Sequence, residues 1–169
     1  MLQGFLDRDL ADLVLNNLQG ELAKATNEVV RCYGQTHVMP RRTRYYLRGY
    51  TFSRTEHKAE VPPLSLLCLK AMVEERTGVS FNSMSVVHYE GGKKAGIDKH
   101  VDKGVKDLLV VLSLGAPGCI NWWDRKGGRH TFLAAHGDLY TMAPNTPHQI
   151  PKKRLPMGRG RVAIVFRQF

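Results

Sequence analysis

The stretch Ile97-Asp98-Lys99-His100-Val101-Asp102 decides how this chain reads. On an extended segment alternate side chains share a face, so His100 and Asp102 point at one place. Val101 between them is β-branched, as a strand favours. An imidazole and a carboxylate so placed offer two ligands to one ion and need a third from elsewhere in the fold. His148, 48 residues downstream, is placed to supply it after the strand-like run Gly137–Met142 and the turn Ala143-Pro144-Asn145-Thr146-Pro147. Two histidines and one carboxylate grip a metal by one face and leave coordination positions open, a donor set suited to Fe(II).

The closing segment Arg161-Val162-Ala163-Ile164-Val165-Phe166-Arg167 is the second informative stretch. Period-2 alternation puts Arg161, Ala163, Val165 and Arg167 on one face and Val162, Ile164 and Phe166 on the other. Buried guanidiniums need anionic partners, and a small dicarboxylate would serve both through paired hydrogen bonds. The alternative is an edge strand with both arginines in water.

Outward from these segments, periodicity predicts helix from Asp7 to about Val30, with Leu6, Leu10, Leu13, Val14, Leu18, Leu22 and Val29 at helical spacing. Pro62-Pro63 opens a second helix to about Arg76, its apolar stripe being Leu64, Leu67, Cys68, Ala71 and Met72, with Gly78 after its end. Beyond Phe81 come short strands divided by Gly, Pro and Asn turns: Ser83–Tyr89, Ile97–Asp102, Leu108–Leu114, Cys119–Asp124, Arg129–Leu133, Gly137–Met142, His148–Pro151 and Arg161–Gln168. This pattern predicts a mainly β protein with N-terminal helices and a double-stranded β-helix core of the jelly-roll, cupin-like class, its site in the barrel mouth. No linker or repeat divides it, so a single domain over 1–169 is expected.

Composition sets independent bounds. The chain has 169 residues, 43% of them hydrophobic, enough for one globular core. No apolar run approaches a membrane span, and the first residues lack the charged and apolar regions of a signal peptide. Cys32, Cys68 and Cys119 are widely separated and odd in number, which fits free, buried thiols in a reducing compartment. An intracellular monomer in cytoplasm or nucleus is expected. Net charge is +10 with pI about 9.8, and it clusters at Arg41–Arg48, Lys93-Lys94, Lys103 with Lys106, Arg125-Lys126 with Arg129, and Lys152–Arg154. Basic groups beside a metal motif, interleaved with aromatics in the first cluster, suit a nucleic-acid partner. The bland alternative is a solubilising surface. His88, His130 and His136 read as structural, and Trp122-Trp123 must face opposite sides of a strand.

Taken together, these segments resemble the AlkB-like Fe(II)/2-oxoglutarate-dependent dioxygenases, from about Pro40 to Phe169. The resemblance is carried by Pro40-Arg41-Arg42, Gly49-Tyr50-Thr51-Phe52-Ser53, Phe81-Asn82, Tyr89-Glu90-Gly91-Gly92, His100-Val101-Asp102, Leu112-Ser113-Leu114-Gly115, His136-Gly137-Asp138-Leu139, His148 and the final Arg-x5-Arg-x-Phe. It implies that His100, Asp102 and His148 bind Fe(II), with O2 and 2-oxoglutarate as cosubstrates. Tyr89 and Arg161 would hold the distal carboxylate of 2-oxoglutarate, and Arg167 would sit by the carboxylate next to the keto group. It also implies a lid-like segment over about 40–55, where Tyr50, Phe52, Arg41 and Arg42 would contact substrate, joined by Lys103. In outline, N-terminal helices span about 5–31, the second helix about 63–77 and the β-helix core about 81–169.

The chain departs from the family pattern in three places. Val87 and Ala163 stand where the family usually carries asparagines that bond the cosubstrate, so fewer contacts would hold it. Lys103-Gly104-Val105-Lys106 follows Asp102 where nucleic-acid demethylases commonly carry acids. The resemblance implies oxidative demethylation of N-alkylated bases, as in DNA repair or RNA demethylation. Two other readings remain: an oxygenase acting on a protein side chain, a small molecule or 5-methylcytosine, or a non-catalytic jelly-roll module that binds nucleic acid.

Overall fold

The computed structural model describes residues 2–32, 34–52 and 55–169, with the backbone alone at Arg31, Cys32, Tyr50, Phe52 and Thr55. Two short helices come first, α1 (Arg8–Asn17) and α2 (Gln19–Lys24), followed by the long antiparallel pair β1 (Thr26–Cys32) and β2 (Gln35–Tyr46). A small hairpin of β3 (Tyr50–Phe52) and β4 (Thr55–His57) precedes the helix α3 (Leu64–Thr77). Eight further strands complete the chain: β5 (Ser83–Tyr89), β6 (Lys94–His100), β7 (Leu109–Gly115), β8 (Gly118–Trp123), β9 (Arg129–Ala134), β10 (Leu139–Met142), β11 (His148–Arg154) and β12 (Arg161–Arg167).

These eight strands form two facing antiparallel layers of four, the double-stranded β-helix. One layer is β5-β12-β7-β10, which β1 and β2 extend to six strands; the other is β6-β11-β8-β9. Within the six-stranded sheet β5, β12 and β7 are buried on both faces, which is why they read as nearly continuous apolar runs. Along β12, Val162, Ile164 and Phe166 pack outward with Leu18, Leu66, Leu69 and Val73 of the helical layer. Ala163 and Val165 pack inward with Ile120 of the facing sheet and Tyr140. β12 lies between β5 and β7, so it is no edge strand, and its two arginines are buried.

The helices differ from the sequence reading in length and in phase. Helix ends at Lys24, and Thr26–Cys32 is strand, where Glu28 and Val30 are buried and Val29 between them is exposed. That is a period of two, and β-branched Val29-Val30 favours it over helix. In α3 the buried stripe is Leu66, Leu69 and Val73, whereas Leu64, Leu67, Cys68, Ala71 and Met72 are exposed. Both sets recur at helical spacing, and tertiary contact alone selects between them. Cys68 is therefore not a buried thiol, Cys119 is half-buried, and the side chain of Cys32 lies outside the described residues. Gly78 ends α3 in the left-handed conformation at φ 70°, as expected of the glycine after the last turn.

Phe166 is fully buried between β12 and the helical layer, packed on Phe81 at 5.7 Å between ring centroids. Phe166→Ala should cost about 3–5 kcal/mol of unfolding free energy by urea titration.

Candidate active site

β6 ends where the site begins. Ile97 pairs with Ile150 and His100 with His148, so three steps along β6 oppose two along β11. This bulge changes which side chains face inward. Ala95 and Ile97 point to the interior before it; beyond it His100 does, while Lys99 turns out over the Trp123 ring. His100 thus faces His148 directly, with 4.2 Å between ring centroids. Asp102 lies two residues past the end of β6, not on it, and still reaches the pair, its Oδ1 3.6 Å from His100 Nε2. One donor atom from each of His100, Asp102 and His148 lies within 4.8 Å of the others.

The two rings are held so that the same nitrogen faces the cluster. Nδ1 of His100 donates to the Asp98 carbonyl at 2.8 Å, and Nδ1 of His148 donates to the Thr146 carbonyl at 2.9 Å. Each bond fixes the tautomer that leaves Nε2 as a lone-pair donor, which a metal requires. Burial, reinforced by the neighbouring His148, pushes the His100 imidazole below its ordinary value and favours the neutral form. Burial works against the Asp102 carboxylate, but the Arg167 guanidinium together with His148 and His100 outweighs it and holds the acid below its usual range. Arg167 Nε donates to Asp102 Oδ2 at 2.8 Å, and Nη1 donates to Ser85 Oγ at 3.0 Å.

Arg161, at the other end of β12, presents the opposite situation. It is 2% exposed, and among the described residues none of its three guanidinium nitrogens makes a well-formed hydrogen bond. Its charge lies 5.4 Å from the centre of the Tyr89 ring and also acts on the Tyr140 hydroxyl. Burial pushes Tyr89 up to about 12, so it is a neutral donor at any physiological pH. A fully buried, unanswered guanidinium flanked by two phenols fits a carboxylate, and it shares the barrel interior with the metal cluster. These residues fit Fe(II) on His100, Asp102 and His148, and a diacid between that ion and Arg161. Gly118 makes room for the guanidinium, since a Cβ there would overlap Arg161.

Of the residues expected to touch substrate, Arg41 is placed differently. It is buried, paired with Glu28 at 2.5 Å and bonded to the Gly96 carbonyl, so it braces β2 against β6 and contacts no surface. Arg42 is partly exposed and pairs with Glu90 at 2.5 Å. Lys103 is exposed one residue beyond Asp102. The side chains of Tyr50 and Phe52 lie outside the described residues. Sequence reasoning missed Ser85, Tyr140, Gly118 and Glu28. The first two were legible as inward positions on expected strands, and Glu28 was hidden by the helical reading of β1. His88, His130 and His136 stay outside the cluster, each beside a side chain of its own: Arg42, Asp124 and Asp12. Trp122 packs inward and Trp123 carries Lys99, on opposite faces.

No protein-family model matches the chain. In sequence it is similar to alpha-ketoglutarate-dependent dioxygenase alkB homolog 3 of Rattus norvegicus, 29% identical over 184 residues, covering 97% of this chain and 61% of that protein. The chain thus spans about 61% of the length of this curated relative. In fold it is similar to an oxidoreductase of the 2OG-Fe(II) oxygenase family from Burkholderia pseudomallei, with a TM-score of 0.60, 15% identity, and 90% and 77% of the two chains covered. It is also similar to a Pseudomonas putida prolyl-4-hydroxylase, with a TM-score of 0.59, 18% identity, and 99% and 90% covered. These structural likenesses show that the chain has the fold of the 2OG-Fe(II) oxygenases they come from, and its His100, Asp102 and His148 cluster could hold a metal ion. Its sequence similarity is to an alkB homolog.

Two outcomes follow from this geometry. Arg167→Met leaves the Asp102 carboxylate buried without its cation and should destabilise the metal-free protein by about 3–5 kcal/mol at pH 7 in urea titration; adding Asp102→Asn should restore part of it. Because the Asp102 carboxyl is held below its ordinary 3.8, the pair's contribution is fully present above that value and is lost as pH falls through the lower folded value. Gly118→Val should displace Arg161 and abolish the rise in melting temperature that 2-oxoglutarate produces in wild type, which at a hundredfold excess over Kd is worth about 2.7 kcal/mol.

Proposed function

We propose that this chain is an Fe(II)- and 2-oxoglutarate-dependent dioxygenase that oxidatively demethylates N-alkylated bases in DNA or RNA. The observation that carries the oxygenase reading is the pairing of one open-faced ligand cluster with one unanswered buried guanidinium in the same barrel. A cluster alone suits many metals, and an orphan arginine alone suits many anions. A metal and a diacid together are what this class uses, the metal as cofactor and the diacid as cosubstrate. Iron, when bound, supplies the oxidation; O2 and 2-oxoglutarate go to succinate and CO2, and an N-methyl group gains one oxygen atom. The hydroxymethyl product then releases formaldehyde and leaves an N–H on the base.

The chain's own residues do the positioning. His100, Asp102 and His148 would hold the ion by one face, with the Asp98 and Thr146 carbonyls keeping both rings in register. Arg167 keeps the Asp102 oxygen ionised and aimed. Arg161, Tyr89 and Tyr140 would grip the distal carboxylate of the cosubstrate and so orient its keto acid end toward the metal. The apolar inner wall of Val87, Ile120 and Ala163 excludes water between the two ends. The net charge of +10 and the AlkB-like sequence support a nucleic-acid substrate.

Incubation with Fe(II), ascorbate, 2-oxoglutarate and a mixture of methylated DNA and RNA oligonucleotides tests this. Mass spectrometry should find loss of N-methyl nucleosides with matching formaldehyde and succinate. Succinate made without any loss of methyl mark would redirect the reading to an oxygenase of another substrate, and no 2-oxoglutarate binding at all would leave only a binding module.

A further inference from the structure

The basic cluster that stands out in the sequence is largely spent inside the fold. Arg41 is paired with Glu28, Arg42 with Glu90, and Arg44 with both Glu21 and Glu60. The excess positive charge must be sought elsewhere, and the register of the four-stranded sheet locates it. His100, His148, Trp122 and His130 are successive partners across β6, β11, β8 and β9, forming one row at the level of the metal ligands. At or just beyond this row, on the mouth side, stand Lys103, Lys106, Arg125, Lys126 and Arg129. All five are exposed, and among the described residues none forms an ion pair.

Two features make this arc a built surface. The β8–β9 turn is rigid, because Asp124 Oδ1 accepts from both the Lys126 and the Gly128 backbone N–H groups at 2.9 Å. The Asp124 carboxylate is further engaged by His130 at 2.7 Å, which itself stacks on Trp122, so this acid is occupied within the turn. Behind the row, on the outer face of the sheet, Lys99 is seated on the Trp123 ring, its ammonium 4.1 Å from the centroid. Lys103 and Lys106 follow Asp102 directly, and Lys106 N–H is tied to the Gln168 carbonyl at the end of β12. Arg125 lies three residues past Trp122, in the turn that leaves the sheet at the level of the ligand row.

We infer that Lys103 and Lys106 on one side of the mouth and Arg125, Lys126 and Arg129 on the other clamp the sugar–phosphate backbone flanking the nucleotide presented to the metal. This rests on the nucleic-acid reading above and adds the surface that holds the strand. Contact is with phosphates, so the clamp is indifferent to sequence and weakens with salt.

The test uses the full chain with Mn(II) and 2-oxoglutarate and reads binding of a fluorescent single-stranded oligonucleotide by anisotropy over a series of KCl concentrations. Arg125→Glu/Lys126→Glu/Arg129→Glu should reduce the slope of log affinity against log salt by about 2, from three contacts at ~0.7 each, while 2-oxoglutarate binding is unchanged. A matched reversal away from the mouth, Arg76→Glu/Lys94→Glu/Arg154→Glu, should leave the slope within about half a unit. Equal losses in both variants would overturn the clamp in favour of diffuse charge. Wild type that binds 2-oxoglutarate but no oligonucleotide, or binds anionic vesicles instead, would overturn it while leaving the oxygenase intact. Failure to bind 2-oxoglutarate would bring down the underlying reading itself.

Discussion

Burying a guanidinium inside a barrel is costly unless something negative answers it, and β12 buries two, one at each end of its inward face. The fold resolves one of them internally. Arg167 is met by Asp102 and Ser85, and in being met it sets the charge and direction of a metal ligand. Among the described residues Arg161 is met by nothing but two phenols nearby, and it is 2% exposed. The same strand therefore ties core packing on its outer side to both halves of the site on its inner side. A buried guanidinium without a counter-charge lowers stability below what packing alone would give, and an anion bound there would recover the difference.

The metal ligands depend on a second constraint, the register of β6 against β11. A one-residue slip would turn His100 out and Lys99 in, because side chains alternate strictly along a strand. The bulge between Ile97 and His100 is what permits an apolar inner face at one end of β6 and a ligand at the other. It also explains why Asp102 need not lie on the strand to share the ion: the chain has already begun to leave the sheet, and Arg167 draws the carboxylate back.

The core strands β5, β7 and β12 were legible in the sequence because both their faces are buried, and so were the His-x-Asp triplet, His148 and the paired arginines. Less legible was whatever depended on an element's partner. The exposed and buried stripes of α3 are equally apolar, so Leu66 and Val73 could be told from Leu64 and Met72 only once a sheet lay against one of them. β1 carries Leu22 and Val29 upstream and within it at helical spacing, and its true period shows only in the burial of Glu28 and Val30. The arginines from Arg41 to Arg44 looked like a free basic face because their acids, Glu21, Glu28, Glu60 and Glu90, are distant along the chain. A run of charge in sequence says little about surface potential until its counter-charges are placed.

The register also bears on how the cosubstrate is recognised. Resemblance to the AlkB-like family leads one to expect amides at Val87 and Ala163, and these two residues are direct partners across β5 and β12. Their loss is therefore a single local change rather than two independent defects. Had only one amide been replaced, the other would face an apolar neighbour in a buried wall, an unsatisfied group costing about 1–3 kcal/mol. With both replaced, the wall is uniformly apolar and packs on Ile120 and Tyr140. Recognition then falls on the charged end, where Arg161 stands between Tyr89 and Tyr140 in a medium made drier by the substitution. A dry wall strengthens the remaining guanidinium–carboxylate contact, so fewer hydrogen bonds need not mean weaker binding.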